Sequence, residues 1–321
     1  MPEIYVTREI PEPSRGILSN AFGDSSVAVY PEDQIVSRET LLSSVNSANG
    51  VLTMLTEQWD AEAFDAAPDL KILANCAVGY DNIDIDEATR RGVIVTNTPD
   101  VLTETTADLA WALIMGASRR IGEAEAYLRS GKWDSWSPNF MLGSDIYGKT
   151  LGIYGMGRIG KAVARRAAGF DMKVIYHSRT PLSPSKTAPT GAIHVSFEEL
   201  LRQSDILSIN CSLTPETKGA IGAKEFDKMK ATATLVNTSR GPIVQEEALA
   251  NALSAGEIAF AGIDVFEKEP AIHPALLECP NALLIPHIGS ATLATRTAMA
   301  ILAAENIVAV LNGNDAITPV D

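Results

Sequence analysis

The chain has 321 residues, more than a single hydrophobic core usually organises, so two domains are the natural expectation. With 46% hydrophobic, 21% charged and 6% aromatic residues it falls outside the disordered and fibrous classes. Its 40 acidic against 26 basic residues leave a net charge of −14, which argues against nucleic acid and anionic membrane as partners and requires any anionic ligand to meet a local basic site.

The first residues, Met1-Pro2-Glu3-Ile4-Tyr5-Val6-Thr7, carry neither a basic region nor a long apolar stretch. No later segment offers an uncharged span of membrane length, and a cytoplasmic location is expected. Cys76, Cys211 and Cys279 are odd in number, far apart and in no metal-ligand spacing, so reduced cysteines and no metal site are expected.

In chain order, residues 4–7, 26–30, 51–55, 71–74 and 93–96 are short strand-like runs separated by helical or loop segments, the alternation of a parallel sheet. The loop Val78-Gly79-Tyr80-Asp81-Asn82 follows the fourth run, just past a strand C-terminus, where ligands of open parallel sheets sit. A break at Asn97-Thr98-Pro99-Asp100 marks a hinge, and residues 103–130 read as one long helix rich in alanine and leucine. Residues 131–148 then form a loop bearing Trp133, Trp136, Pro138, Phe140, Met141 and Leu142, too apolar for a free surface. We expect that loop and the preceding helix to be buried in a homodimer.

The stretch Leu151-Gly152-Ile153-Tyr154-Gly155-Met156-Gly157-Arg158-Ile159-Gly160 is strand, glycine turn and helix start, and carries G-x-G-x-x-G in the required context. Gly155 would allow the tight turn, Gly157 a bare backbone beside a pyrophosphate, and Gly160 close packing of helix on strand. Ile159, Val163, Ala167 and Phe170 share one face of that helix. Further strands are expected at 173–176, 192–195, 206–210, 234–237, 259–263 and 283–285, followed by a single helix over 292–311 that returns to the first domain.

The end of the second strand of this half reads Tyr176-His177-Ser178-Arg179-Thr180. Where an NAD enzyme carries an acid for the ribose hydroxyls, Arg179 would pair with a 2′-phosphate while the Ser178 and Thr180 hydroxyls donate to it. Asp171 precedes that strand, at its wrong end. The expected cofactor is NADPH.

Three polar signals end successive late strands: Val236-Asn237-Thr238-Ser239-Arg240-Gly241-Pro242, Gly262-Ile263-Asp264-Val265-Phe266-Glu267-Lys268-Glu269-Pro270, and Ile285-Pro286-His287-Ile288-Gly289-Ser290-Ala291-Thr292. A guanidinium, clustered acids and a histidine on one rim can hold a carboxylate and deliver a proton. Of the acids, Glu267 reads as an exposed turn residue.

On these motifs, together with Ala77-Val78-Gly79-Tyr80-Asp81-Asn82-Ile83-Asp84, the chain resembles over nearly its whole length the D-2-hydroxyacid dehydrogenase family, and within it the NADP-dependent glyoxylate and hydroxypyruvate reductases. The resemblance implies two doubly wound α/β domains with parallel sheets: a Rossmann nucleotide-binding domain at 100–288 and a smaller, flavodoxin-like substrate domain at 1–99 plus 289–321, with the site in the cleft between them.

It implies a catalytic trio of Arg240, Glu269 and His287, and substrate contacts at Val78, Gly79 and Ser290. Cofactor contacts are implied at Gly157, Arg158, Ile159, Ser212, Thr238, Asp264 and Gly289. His287 would protonate the developing alkoxide, Glu269 would favour the imidazolium, and Arg240 would anchor the substrate carboxylate. Asp264 would hold the nicotinamide carboxamide. The substrate would be a small 2-keto acid, glyoxylate or hydroxypyruvate, its size set by residues such as Leu55 and Trp136. Formate dehydrogenases carry glutamine where this chain has Glu269, and 321 residues leave no room for the regulatory domain of long phosphoglycerate dehydrogenases. A dinucleotide-sensing corepressor on the same fold is the alternative from another class.

Overall fold

The structure, a computed structural model, describes residues 3–320. Its chain divides into two compact units: one runs through Leu102 and resumes at Ser290, the other is Thr103–Gly289.

The first unit is built on β1 (Ile4–Val6), β2 (Val27–Val29), β3 (Gly50–Thr53), β4 (Ile72–Asn75) and β5 (Ile94–Thr96), all parallel, in the order β2-β1-β3-β4-β5. That order is the flavodoxin-like one. Strands β3 and β4 are buried at every position, as expected of strands covered by helices on both faces. One cover is the helix Leu293–Leu311, which packs on β3, β4 and the helix Ser14–Phe22 through Ala300, Ala303, Ala304 and Ile307. Thr292 caps its start, its side chain accepting the Thr295 N–H. By length and composition this helix is apolar enough to cross a membrane, although it carries Arg296 and Glu305; here its small side chains let it lie close on the sheet.

The second unit is built on β6 (Thr150–Tyr154), β7 (Lys173–His177), β8 (Ile193–His194), β9 (Ile206–Ile209), β10 (Thr234–Asn237), β11 (Phe260–Ile263) and β12 (Ala282–Leu284). All seven are parallel, in the order β12-β11-β10-β9-β6-β7-β8. The strand order reverses between β6 and β9, which opens a crevice at their carbonyl ends. Two apolar clusters cover the faces of this sheet. In one, Val163 and Ala167 are buried and Ile159 and Phe170 pack beside them, which is the helical face expected from their spacing. Trp111 joins that cluster, stacked on Phe170 at 4.6 Å and donating its indole N–H to Val163 O at 3.0 Å.

Residues 103–130 form two helices, Thr103–Ser118 and Ile121–Arg129, in place of the single one expected. The carbonyl of Ser118 accepts the N–H of Ser144 from the following loop at 2.8 Å, and Arg120 turns left-handed at φ 55°. Arg120 then bonds Glu123 and the Leu142 carbonyl. The first of these helices buries Ala107, Ala110, Leu113 and Ile114 inside its own unit. The exposed apolar surface lies instead on the second helix, which has no buried residue, and on the loop beyond it, where Trp136 is 79% exposed.

Asn306, fully buried within the apolar helix of the first unit, fixes the chain's last segment. Its Oδ1 accepts the N–H groups of Ile317 (2.9 Å) and Thr318 (3.0 Å), and its Nδ2 donates to Thr318 Oγ1 at 2.9 Å. Thr318 in turn donates its hydroxyl to Asn97 O. Asn306→Ala leaves two backbone N–H groups without acceptors at a cost of about 1–3 kcal/mol each, and is expected to lower the midpoint of urea unfolding markedly. A midpoint within error of the parent would show that water replaces the amide.

Candidate active site

The glycine turn between β6 and the helix Arg158–Arg166 has the geometry its spacing demands. Gly155 sits at φ 96°, and a Cβ there would fall 2.4 Å from Cys211 N, so no side chain fits. A Cβ on Gly160 would lie 2.2 Å from Gly155 O, which fixes how closely helix and strand approach. A Cβ on Gly157 would meet nothing within 4 Å, leaving bare backbone at the helix start. Arg158 beside it is exposed and Ile159 half-buried.

Further along the same edge, the carbonyl ends of β9, β10 and β11 carry Asn210 Oδ1, Thr238 Oγ1 and Asp264 Oδ2, all buried and without a hydrogen-bond partner. Unpaired buried polar atoms are costly unless a ligand or water meets them. Bare backbone at a helix N-terminus and these orphaned atoms along one edge fit a dinucleotide. At the end of β7, Arg179 is exposed, and the Ser178 hydroxyl donates to Thr180 O at 2.8 Å, so Ser178 is turned into its own loop. Thr180 is exposed, and Ser212 lies exposed beyond β9. Sequence reasoning missed Glu216 here, whose carboxyl is held below its ordinary value first by Thr214 and also by the charge of Arg179.

Arg240 follows β10 and is placed by Asn237, which is buried and donates to Arg240 O at 3.0 Å while accepting the Ser239 N–H at 3.0 Å. The segment is further tied down by the Ser239 hydroxyl, which donates to Cys211 O. Asn237 stood in a motif already noticed, but only its fold-back onto the next three residues reveals its work.

Beyond β12, His287 adopts φ 49°, a left-handed backbone uncommon outside glycine. Asp264 holds it there: the His287 N–H donates to Asp264 O at 2.8 Å, and the next N–H, of Ile288, donates to Asp264 Oδ1 at 2.7 Å. Burial raises the Asp264 carboxyl to about 6, against the Ile288 hydrogen bond and the charge of His287, which pull it down. Gly289 is packed against Asp264 Oδ2, where a Cβ would stand 3.2 Å away.

His287 Nδ1 lies 2.7 Å from Glu269 Oε2, and Glu269 Oε1 accepts the Phe266 N–H at 2.9 Å. Burial pushes the Glu269 carboxyl upward, but the hydrogen bond and charge of His287, the Phe266 N–H and the charge of Arg240 together hold it below its ordinary value. Arg240, Glu269 and His287 thus act on one another at the carbonyl ends of three strands of one unit.

The remaining candidates belong to the other unit. The carbonyls of Val78 and Gly79 accept from Asn97 Nδ2 and Asn75 Nδ2, both at 2.8 Å, which fixes the loop after β4. Ser290 accepts the Thr292 N–H at 2.8 Å through its carbonyl, just before the long helix.

Comparison with known proteins bears on the family of the chain. The family model described as D-isomer specific 2-hydroxyacid dehydrogenase, NAD binding domain, matches residues 111–289. Glyoxylate reductases of Thermococcus gammatolerans and Thermococcus kodakarensis are each 49% identical over 316 residues, which span 97% of this chain and 93% and 94% of theirs. A glyoxylate reductase from Paecilomyes thermophila superposes with a TM-score of 0.88 at 36% identity, covering 100% of this chain and 99% of that one. An NADPH-dependent glyoxylate/hydroxypyruvate reductase from Sinorhizobium meliloti, solved with NADP and malonate, gives a TM-score of 0.83 at 34% identity over 99% of this chain and 96% of its own. With its motifs, its two sheet orders and these likenesses, the chain belongs to the D-isomer specific 2-hydroxyacid dehydrogenase family of oxidoreductases.

Proposed function

We propose that the protein reduces small 2-keto acids, glyoxylate and hydroxypyruvate first, to glycolate and D-glycerate, with NADPH as reductant. The observation that carries this reading is the 2.7 Å contact between His287 Nδ1 and Glu269 Oε2 within reach of the Arg240 charge. Ionised Glu269 can only accept, so Nδ1 holds the proton of that bond. Nε2 is then the nitrogen that gives a proton to the keto oxygen as it becomes an alkoxide.

Arg240 takes the substrate carboxylate in paired hydrogen bonds and polarises the neighbouring carbonyl. A bound nicotinamide supplies the hydride for the carbonyl carbon. The backbone of Val78 and Gly79 with Ser290 we assign to the substrate. The turn 155–160 with Thr238, Ser212, Asp264 and Gly289 we assign to the dinucleotide. The glyoxylate reductases at 49% identity support the choice of substrate.

For the cofactor, Arg179 is the group that would read a 2′-phosphate, and the NADP-bound relative supports that reading. A charge-assisted pair there contributes on the order of 1.5 to 3 kcal/mol, roughly tenfold to a hundredfold in affinity. The exposed apolar stretch 133–142 we assign to a second copy of the chain, and static light scattering at micromolar concentration should give the mass of a dimer; a monomer mass would refute the assignment.

Turnover measured side by side on glyoxylate, hydroxypyruvate, pyruvate and phenylpyruvate is expected to favour the first two, and His287→Ala to abolish it while sparing NADPH affinity. A preference for phenylpyruvate would overturn the substrate assignment. Arg179→Ala should weaken NADPH binding with little effect on NADH, and unchanged NADPH affinity would exclude Arg179 as the phosphate reader. Because the folded pKa of Glu269 is lowered, its carboxylate is fully ionised above the usual carboxylate range and is protonated only as pH falls through that lowered value. Glu269→Gln removes the counter-charge at every pH, so the alkaline limb of the reduction profile should move to lower pH. An unmoved limb would assign the partner of His287 elsewhere.

A further inference from the structure

The turn that carries Glu269 is fastened on both sides by one buried carboxylate. Glu246, 6% exposed, opens the helix Glu246–Ala255. Its Oε1 accepts the N–H of Glu267, and its Oε2 accepts the N–H of His273 at 2.7 Å. Glu267 returns the contact, its Oε1 accepting the Glu246 N–H at 2.6 Å. A carboxylate there also favours the positive end of the helix, whose preceding residue, Gln245, makes no side-chain cap.

Between the two anchors the chain folds tightly, Ala271 N donating to Lys268 O at 2.9 Å. Packing holds this turn on one side only, where its start lies against Gly241 and Ile272 packs on the core. A cavity of about 750 Å³ is lined by Glu246, Glu267, Lys268, Ala271 and His273 but by neither Glu269 nor His287, so one side of the turn faces open space. Phe266 orients the Glu269 carboxyl within the turn; the bonds to Glu246 tie the turn at Glu267 and His273.

The geometry points to Glu246 as a positioning residue that keeps Glu269 at hydrogen-bond distance from His287, acting through the backbone at Glu267 and His273. This rests on the reading of His287 and Glu269 as the proton-delivering pair. Two backbone donors separated by the catalytic acid converge on one side chain, and that side chain is itself fixed at a helix start, so the turn inherits the rigidity of the helix.

The test uses Glu246→Gln and Glu267→Ala in the full chain, with the exposed neighbour Glu247→Gln as a charge control. Glu246→Gln keeps one acceptor and turns the other into a donor facing an N–H. A misplacement of this kind is expected to lower kcat with glyoxylate about tenfold while NADPH affinity stays within about twofold. The pH profile should move in the direction that Glu269→Gln moves it. Glu267→Ala, at an exposed position, should give the same change in smaller measure, and it decides alone if Glu246→Gln does not fold. Glu247→Gln should give neither.

In parallel, the His287 imidazole is titrated by NMR in labelled protein. A midpoint displaced in Glu246→Gln as it is in Glu269→Gln supports the positioning role even where the parent reduces no keto acid, an outcome that removes only the substrate reading. The proposal is overturned if either clasp variant keeps the parent's kcat and His287 titration. It is equally overturned if the losses of Glu246→Gln and Glu269→Gln multiply in the double variant instead of merging.

Discussion

The left-handed backbone at His287 is the constraint on which the site depends. A residue with a Cβ does not rest at φ 49° without being held, and Asp264 holds it twice, with its own carbonyl and with a side-chain oxygen. The same carboxyl is buried, raised to about 6, and has a second oxygen without a partner. A protein selected for stability alone would not keep such a group at the end of a central strand. Kept there, it aims two consecutive N–H groups inward and forces the imidazole out toward Glu269.

Much of the fold was legible because parallel strands covered on both faces read as unbroken apolar runs, and each run ends where a polar residue begins. His287 and Arg240 were found for that reason: each stands three positions past the end of a strand. The break after Ser118 was not legible, since it is made by a loop residue, Ser144, that captures a helix carbonyl from 26 positions away. An alanine-rich helix such as Thr103–Ser118 is apolar on most sides, so its pattern cannot say whether its face is buried by its own unit or by another chain.

Glu267 illustrates a different limit. Its neighbours in sequence make it an ordinary acid in an exposed turn, and by exposure it is one. Its role lies in a side chain reaching backbone 21 residues earlier and a backbone N–H answering in return, a pairing with no local periodicity. Asn306 is hidden in the same way inside an apolar helix. Long-range bonds from side chain to backbone are the part of a structure that composition and spacing encode least, and here they fasten the turn that carries Glu269. Exposed ion pairs such as those of Arg165 and Arg166 with Glu104 and Asp108 are far easier to guess from charge alone, and contribute little.

The first unit is assembled from the two ends of the chain, and the second is a continuous stretch between them. During synthesis the five strands of the first sheet leave the ribosome before the second unit, while the helix that covers β3 and β4 emerges only after it. The second unit has all its strands available before that happens and can fold as soon as β12 is out, because domains fold as units from the N-terminal side onward. Through that interval the first sheet has an uncovered apolar face. The nascent chain therefore carries that apolar face until Leu293–Leu311 is out, and a chain stalled before this helix would hold a finished nucleotide fold and an unfinished sheet.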